Sequence, residues 1–452
     1  MTLVAEKRGA ALLKKELDSE RNGKEAEFQN LIRELEEFRV RETTYQKALE
    51  LERERADSQE KTFDLRLLDA RKMLDREIRD LMDKLRVEEN RRRKLFEQVQ
   101  MLRGTIRVIC RIRPDASDQP LDYETEIGEY HDHPVTFRVR EEVKKVWGEK
   151  RIELSDPYEF ERIFLPSETN SDVFSEISDF VQSVVDGKKA CIFCYGQSGT
   201  GKTYTMSNLD KIETRQEGTH YKNDGIIPRV KTMIFSEKRR LHEIGMEMSA
   251  RGCCYEIYDN KLWLLKEGKG KDGPIPKTED SHFRDLNSPE DFDALVEGGM
   301  KKRHFGATEI NRHSSRSHFI ISLETAVKLN DTAEIVREGL LNLVDLAGAE
   351  STNLAGTSGA SFDEGRNINS SLTQLGTVFV QLANGDIPTF RGNILTEFLE
   401  RSLSGRDCMT LMFVMISPLR KYWTATKHTL AIYRIGSRGR PRGTSQRLGV
   451  KK

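Results

Sequence analysis

The sequence predicts an α/β domain, with a central, mostly β-sheet flanked by helices, preceded by a long α-helical coiled coil. Three observations lead to this prediction. Residues 1–103 contain no proline and are crowded with Glu, Arg and Lys. From residue 105 to about 436, apolar runs typical of buried strands alternate with helix-like segments. One of these apolar runs leads directly into a glycine-rich turn, as happens where a strand meets a phosphate-binding helix.

The first hundred residues carry a sevenfold apolar stripe. Leucines recur at seven-residue spacing and are interrupted by Glu88, and other apolar residues follow them by four positions. The members of this seam are Leu67, Leu74, Leu81, Leu95, Leu102, Ile78, Leu85 and Val99. Such an a/d pattern predicts a coiled coil with a partner helix, from an identical or a different chain. The alternative is a solitary charged helix on the globular part.

A second seam runs through residues 28–63 and differs from the first by one residue in phase. We expect the slip to fall near Leu51–Glu60, where the stripe is weakest. A single helix over this arm would be about 150 Å long, from 1.5 Å per residue. Gly104 supplies a stop for the helix, so the predicted parts are a stalk and neck at 1–103, a domain at 104–436, and a basic, disordered tail at 437–452.

Within the α/β domain, four apolar runs are strand candidates: "KACIFCY", "FIISLETAV", "GLLNLVDLAG" and "CMTLMFVMISP". Two segments are predicted loops because they are rich in Gly, Pro and Ser, namely residues 266–280 and 352–365.

Composition excludes several classes of function. The net charge is zero, so no global charge points to nucleic acid or to a membrane as partner, and no apolar run reaches membrane length. Six cysteines show no paired spacing typical of zinc sites. Cys191 and Cys194 have redox-motif spacing, but they lie in an apolar run, which favours reduced and buried thiols.

The strongest site signal is Gly196-x4-Gly201-Lys202-Thr203. Backbone N–H groups converge on phosphate oxygens only in shapes that glycine adopts at low cost. A helix that begins at Gly201 directs its positive end at the same oxygens. Lys202 would neutralise the β- and γ-phosphates, and the Thr203 hydroxyl would bind Mg²⁺. We therefore predict a nucleoside triphosphate site.

Two further features fit this site. "LLNLVDLAGAE" is an apolar strand that ends in Asp345, which can hold the Mg²⁺ shell through water, and Gly348 can bring an N–H to a γ-phosphate. "NRHSSRSH", from Asn311 to His318, crowds serines, histidines and an arginine before a strand. It is either a serine-capped polar loop or a phosphate sensor in which Arg316 pairs with Glu350.

Together these segments resemble a kinesin motor domain. "GQSGTGKTYTM", "NRHSSRSH" and "DLAGAE" have the order and spacing of that family's P-loop, switch I and switch II, and "RIRP", "GIIPR", "YEIYDNKL" and "NINSSLTQLG" resemble other family segments. The resemblance covers residues 104–436. A helical arm that runs straight into the domain is similar to the neck of C-terminal-motor, minus-end-directed kinesins.

The resemblance implies ATP with Mg²⁺ as cofactor and microtubules as track. It implies a location in the cytoplasm, on the cytoskeleton and the mitotic spindle, and leaves open a location in the nucleus. It also implies a role for most predicted site residues. Residues implied to act in catalysis are Arg316, Glu350, Ser314, Ser315 and Gly348. Residues implied to bind nucleotide are Arg111, Arg113, Pro114, Gly196, Gln197, Ser198, Gly199, Thr200, Gly201, Lys202, Thr203, Tyr204 and Asn311. Residues implied to hold the metal are Thr203, Ser315 and Asp345.

The expected microtubule-facing residues depart from the family pattern. Ser370 and Ile394 stand where the family carries lysine, Thr389 is an extra residue, and residues 351–364 hold no Lys or Arg. Because microtubules are acidic, we expect weakened, salt-sensitive affinity. The alternative is that other residues compensate and the affinity is normal. The remaining candidates are Lys269, Lys271, Lys277, Arg366, Asn369, Arg391 and Arg401.

The prediction is therefore an ATP hydrolase that microtubules stimulate and that moves or slides toward minus ends. The alternative is a motor-like microtubule-binding subunit with weak catalysis that works with a partner kinesin. A GTPase switch is disfavoured because no Asn-Lys-x-Asp guanine motif is present.

Overall fold

In a computed structural model of the chain, the described residues are 24, 28, 31–45, 60–114, 119–129, 131–144, 150–209, 222–265, 273–305, 316–329, 334–349, 360–405 and 407–437. The chain divides into two compact units. The larger is built from Thr105–Arg239 and Glu247–Lys452 together with Met1–Leu3, and the smaller from Val4–Gly104 with Arg240–Met246.

The strands are β1 (Ile106–Ile112), β2 (Tyr123–Ile127), β3 (Pro134–Lys144), β4 (Lys150–Leu154), β5 (Tyr158–Glu159), β6 (Arg162–Phe164), β7 (Lys189–Tyr195), β8 (Met246–Tyr258), β9 (Lys261–Leu264), β10 (Arg284–Asp285), β11 (His318–Leu329), β12 (Ile335–Asp345) and β13 (Cys408–Ile416). The helices are α1 (31–45), α2 (Glu60–Arg103), α3 (Asn170–Val185), α4 (Lys202–Ser207), α5 (Ile226–Glu243), α6 (Pro289–Phe305), α7 (Ala360–Asn384), α8 (Ile394–Leu403) and α9 (Trp423–Ser437).

The larger unit is centred on a mixed sheet in the order β10-β8-β11-β12-β7-β13-β1-β6, with β9 paired to β8. The middle strands β12, β7, β13 and β1 are mutually parallel, and β11 runs antiparallel to β12. Parallel strands bring their carboxyl ends to one edge, where ligands bind in sheets of this kind. A smaller antiparallel sheet joins β2, β3, β4 and β5.

All four apolar runs lie in strands of this sheet, as predicted, because they are buried on both faces. On β7, Cys191, Phe193 and Tyr195 join a core with residues of α7 and α8, and the rings of Phe193 and Phe379 lie 5.0 Å apart. The alternate residues of β7 face α3, which contacts β7, β11 and β12. The predicted central sheet with helices on its two faces is confirmed.

The predicted loop at residues 352–365 is wrong in its last part. Helix α7 begins at Ala360, so Ala360–Gly365 are helical. Glycine and serine are typical of loops, but a helix interior tolerates them at a cost of about 1 kcal/mol or less per residue, so composition did not exclude a helix here. Residues 350–359 lie outside the described residues.

In the smaller unit, α2 ends at Arg103 and Gly104 follows with φ +92°. Burial raises the pKa of the Glu89 carboxyl, but hydrogen bonds and positive charges from Arg92 and Arg240 more than offset this, so the pKa lies well below its usual value. Glu89 therefore anchors α2 to the segment Arg240–Met246 as a charged group.

The helical arm does not continue as a single straight helix. Lys24 Nζ lies 3.9 Å from Glu88 Oε2, whereas a continuous helix would separate these residues by about 95 Å. Phe28 and Leu35 are buried. The chain therefore reverses direction between its first helical residues and α2. The predicted slip falls largely within residues 46–59, which lie outside the described residues. None of the helices in the described ranges has the length and apolar character needed to cross a membrane.

Candidate functional site

The glycine-rich turn follows β7 at the carboxyl edge of the sheet. Gly199 and Gly201 have φ of +79° and +96°, in the left-handed region that other residues avoid. A Cβ on Gly196 would meet the Met415 carbonyl oxygen at 2.6 Å. The glycines therefore stand where the backbone requires them, and α4 begins immediately after, at Lys202.

Lys202 is buried, and its ammonium group is held by the turn itself. Nζ donates to the carbonyl oxygens of Gly196 at 2.9 Å and Gln197 at 3.0 Å. The Gly196 carbonyl also accepts from Ala349 N–H at 3.1 Å. Thr200 Oγ1 donates to the Gln197 carbonyl at 2.8 Å. The turn, the lysine and the loop after β12 therefore form one hydrogen-bonded assembly.

Thr203 on helix α4 and Asp345 at the end of β12 are brought together because β12 pairs with β7, the strand that precedes the turn and α4. The register of β12 on β7 places Asp345 opposite Cys194, just before the turn. Thr203 Oγ1 donates to Asp345 Oδ2 at 2.8 Å. The second oxygen, Oδ1, is buried without a hydrogen-bond partner.

This pair of oxygen-bearing side chains suits Mg²⁺, which prefers oxygen ligands, few protein groups and substrate phosphates. In the described part of the chain, no cluster of three or more His, Cys, Asp or Glu side chains could hold a metal ion. A metal here would therefore rely on Thr203, Asp345 and the phosphates of a nucleotide.

Arg303 of α6 is a further member of the site. Its Nη1 donates to Asp345 Oδ2 at 3.1 Å, and its Nη2 donates to the Ser317 carbonyl at 3.1 Å. The guanidinium carbon lies 5.3 Å from the centre of the Phe319 ring. Arg303 therefore neutralises the carboxylate that would face the metal shell. Sequence inspection missed it because nothing in "KKRH" marks an arginine that points inward.

On the side predicted for adenine, Arg113 donates to the Gly199 carbonyl, and Pro114 and Tyr204 are exposed. Arg111 lies deeper than its neighbours on this side, and its role in the adenine pocket stays a prediction. It is only 4% exposed and donates to Asn170 and Thr205, with its guanidinium carbon 5.7 Å from the Tyr204 ring centre. Burial lowers the pKa of Arg111. Arg111 therefore supports this surface from behind.

Asn170 is a second residue that sequence inspection missed. It begins α3, is 1% exposed, and its Nδ2 donates to the carbonyls of Tyr204 at 3.1 Å and Asn223 at 2.7 Å. It therefore ties α4 to α3. Asparagine at a helix start usually acts as a cap, so the sequence offers no signal for this role.

Part of the predicted phosphate sensor lies outside the described residues, namely Asn311, Ser314, Ser315 and Glu350. Gly348 is buried in the loop that follows Asp345, and Arg316 is half-buried just before β11. The proposed ion pair between Arg316 and Glu350 stays a prediction.

The candidates for microtubule contact lie on two helices and in two loops. Arg366 and Asn369 belong to α7, Arg391 is exposed before α8, and Arg401 on α8 lies 3.6 Å from Glu324. Lys277 is exposed, whereas Lys269 and Lys271 lie outside the described residues. Ser370 is exposed on α7, and Ile394 begins α8, with its N–H donated to Asn260 Oδ1.

Known proteins resemble this chain over most of its length. The model of the family "Kinesin motor domain" matches residues 111–433. Kinesin-like protein klpA of Emericella nidulans is 38% identical over 368 residues, which cover 77% of this chain and 45% of klpA. Kinesin-like protein KAR3 of Saccharomyces cerevisiae is 36% identical over 382 residues, 78% of this chain and 49% of KAR3.

Solved structures agree with the sequence relatives. The C-terminal motor and motor homology domain of Kar3Vik1, fused to a synthetic heterodimeric coiled coil, has a TM-score of 0.67 at 30% identity and covers 85% of this chain and 98% of that one. The motor domain of KAR3 from Saccharomyces cerevisiae has a TM-score of 0.59 at 31% identity and covers 74% and 100%.

The chain spans less than half the length of the two curated relatives described above. The matched region contains the glycine-rich turn, Asp345 and the strands that position them. The family match and the geometry of the turn both indicate a nucleotide-binding motor domain. The chain belongs to the kinesin motor family, among relatives of the Kar3 and KIN-14 type.

Proposed function

We propose that this chain is an ATP hydrolase that microtubules stimulate and that moves or slides toward microtubule minus ends. The observation that supports it most directly is the hydrogen bond from Thr203 to Asp345 beside the phosphate-binding turn. This hydrogen bond supports a site in which Thr203 of α4 and Asp345 of β12 would together face the metal ion and the phosphates. A binding subunit that had lost catalysis would have no need of it.

The chain's own residues would act mainly by positioning and by stabilising charge. Backbone N–H groups of the turn from Gly196 to Gly201 would bind the phosphates, and Lys202 would leave its carbonyl partners to neutralise them. Thr203 and Asp345 would hold Mg²⁺, which supplies charge stabilisation at the phosphates when bound. Gly348 would donate a hydrogen bond from its N–H to the γ-phosphate.

Arg316 and Glu350 would complete the arrangement as an ion pair that orients the attacking water. Ser314 and Ser315 would close on the phosphate and the metal, with Asn311 beside them. Tyr204, Arg113 and Pro114 would bound the base. Loss of the ion pair should therefore reduce turnover more than nucleotide affinity, because its contribution is made in the transition state.

The order of parts supports minus-end movement with α2 as a lever, because the helical arm precedes the motor domain and passes directly into β1. We propose that the motor domain occupies 104–436, that residues 1–103 serve as stalk and neck with a coiled-coil partner, and that the chain acts on cytoskeletal microtubules such as those of the spindle.

The experiment is a steady-state ATPase measurement with and without stabilised microtubules, at about 25 mM and 150 mM salt. We expect at least tenfold stimulation at low salt that falls steeply at the higher salt, because the predicted track contacts are mostly cationic and salt screens contacts between charges at a surface. Lys202→Ala is the control, and it should abolish hydrolysis while microtubules still pellet the protein. Polarity-marked microtubules in a gliding assay would report direction.

Microtubule binding with nucleotide bound but no stimulation would contradict the proposal. That result would favour the alternative, a motor-like subunit with weak catalysis that depends on a partner kinesin. Plus-end gliding would contradict only the direction.

A further inference from the structure

His318, the first residue of β11, is buried and contacted at both ring nitrogens. The Ala347 N–H donates to Nδ1 at 3.1 Å, and Nε2 lies 3.0 Å from Ser371 Oγ. Ser371 Oγ also lies 2.7 Å from the Ile368 carbonyl oxygen. The ring therefore joins the loop after β12 to helix α7.

The direction of each hydrogen bond follows from its donors. A backbone N–H can only donate, so Nδ1 must accept and the ring proton resides on Nε2. Nε2 then donates to Ser371 Oγ, and the Ser371 hydroxyl donates to Ile368. Burial lowers the pKa of His318 to about 3, and the charges of Arg303 and Lys202 act in the same direction. The ring is therefore neutral near pH 7, as this chain of bonds requires.

The two ends of this bridge, Ala347 and Ser371, lie in different parts of the predicted machinery. Ala347 lies between Asp345 and Gly348, and its neighbour Ala349 donates to Gly196 of the phosphate-binding turn. Ser371 lies on α7 next to the exposed Ser370 and two residues from Asn369, a predicted track contact. A ring held at both nitrogens has little freedom. A shift of α7 must therefore move Ala347 or break a hydrogen bond.

We infer that His318 is a positioning residue that transmits microtubule binding at α7 to the loop carrying Asp345 and Gly348. The inference rests on the proposed function and adds a specific route for its stimulation. The bridge consists of the His318 ring, the Ser371 hydroxyl and the Ala347 N–H, and both His318 and Ser371 are buried. Its loss should reduce the response to microtubules.

The alternative is a purely structural role, in which His318 and Ser371 merely satisfy each other in the core. The molecule offers a matched control for that alternative. Ser402 on α8 donates to the Leu399 carbonyl at 3.1 Å and accepts from Asn342 Nδ2 at 3.0 Å. Asn342 in turn accepts from Ser322 inside the sheet. Ser371 and Ser402 are thus both buried serines on a helix, and each accepts a hydrogen bond from a side chain on a strand. The hydrogen bonds of Ser402 continue to Asn342 and Ser322 inside the sheet, whereas those of Ser371 continue to the loop after β12.

The test compares Ser371→Ala and Ser402→Ala in the full chain. We would measure the ratio of microtubule-stimulated to basal ATPase rate, together with thermal midpoints. Because both variants lose a buried hydroxyl, their thermal midpoints should fall by a similar few degrees. Ser371→Ala should lower the stimulation ratio at least tenfold, whereas Ser402→Ala should keep it within twofold of the unmodified chain.

His318→Asn breaks the same bridge from its other side, since the shorter side chain offers an acceptor to Ala347 but cannot reach Ser371. It should lower the ratio as Ser371→Ala does, and Ser371→Thr, which restores the hydroxyl, should recover most of it. Equal ratios in Ser371→Ala and Ser402→Ala, with stimulation intact in the unmodified chain, would overturn the inference alone. No stimulation in the unmodified chain would overturn the proposed function and the inference with it.

Discussion

Arg303 and Asp345 form a buried ion pair at the centre of the site, 4% exposed at each residue. Two buried charges cost solvation that only a close partner offsets. Here the carboxylate has the guanidinium at 3.1 Å and the Thr203 hydroxyl at 2.8 Å. These two contacts hold the Asp345 carboxylate in place beside the phosphate-binding turn.

We expect Arg303→Met to cost about 3 kcal/mol of unfolding free energy in the absence of nucleotide, because it leaves Asp345 buried and unpaired. Adding Asp345→Asn should recover part of that loss, so the double variant should be more stable than the sum of the single changes by at least about 1 kcal/mol. Denaturant titration of the full chain measures each value.

The control for this cycle is Asp186→Asn. Asp186 is buried and lies 3.8 Å from Arg337, just ahead of the amino end of β7 and far from Asp345. Combined with Arg303→Met, its effect should be additive within about 0.5 kcal/mol. Additivity of Arg303→Met with Asp345→Asn would show that the two side chains do not depend on each other.

The contrast between this pair and the glycine-rich turn shows what the sequence can reveal at the scale of residues. The turn is a contiguous pattern in which each residue type has a local reason, such as positive φ at Gly199 and Gly201. Arg303 and Asp345 are 42 positions apart, and only the pairing of β11 with β12 and the packing of α6 bring them together. Such contacts leave no local signal.

At the scale of elements, α7 combines a buried face with an exposed row. Leu372, Leu375 and Val378 are buried in the core, whereas Ser370, Thr373 and Thr377 are exposed. The buried strands β7, β11, β12 and β13 were predictable because short, continuous apolar runs bounded by turn residues are typical of buried strands. The start of α7 was not, because its first turns hold glycine and serine, which are also typical of loops.

Ser370→Lys should strengthen microtubule binding, because it adds a cation at an exposed position of α7 where the resembling family carries one. An exposed charge pair is worth about 0.2–1 kcal/mol, so we expect a gain of about two- to fivefold in affinity at low salt. The gain should shrink at 150 mM salt. Co-sedimentation with microtubules measures it.

Ser370→Gln is the matched control, with similar length and no charge, and it should leave the affinity unchanged. A gain as large with glutamine as with lysine would mean that contact area, and not charge, governs this position. No gain with lysine would mean that Ser370 does not face the track.

At the scale of the whole molecule, Glu88 is the charged residue that interrupts the apolar seam of the helical arm. It occupies a position of the sevenfold seam, and in this chain it lies 3.9 Å from Lys24 and 3.5 Å from Arg91. A parallel, in-register pair of identical chains would place two Glu88 side chains opposite each other. Like charges at a seam position destabilise such a pair, so the sequence favours a partner with a basic or apolar residue there.

We therefore expect the unmodified chain to associate weakly with itself at micromolar concentration, and Glu88→Leu to tighten self-association at least tenfold. The change removes the repulsion and adds a buried leucine, which contributes roughly 1.5–3 kcal/mol. Sedimentation velocity over a concentration series measures it. Asp80→Leu is the control, because Asp80 is an exposed acidic residue of α2 outside the seam. Equal tightening by both variants would mean that a new leucine anywhere on α2 promotes association, and that Glu88 does not select the partner.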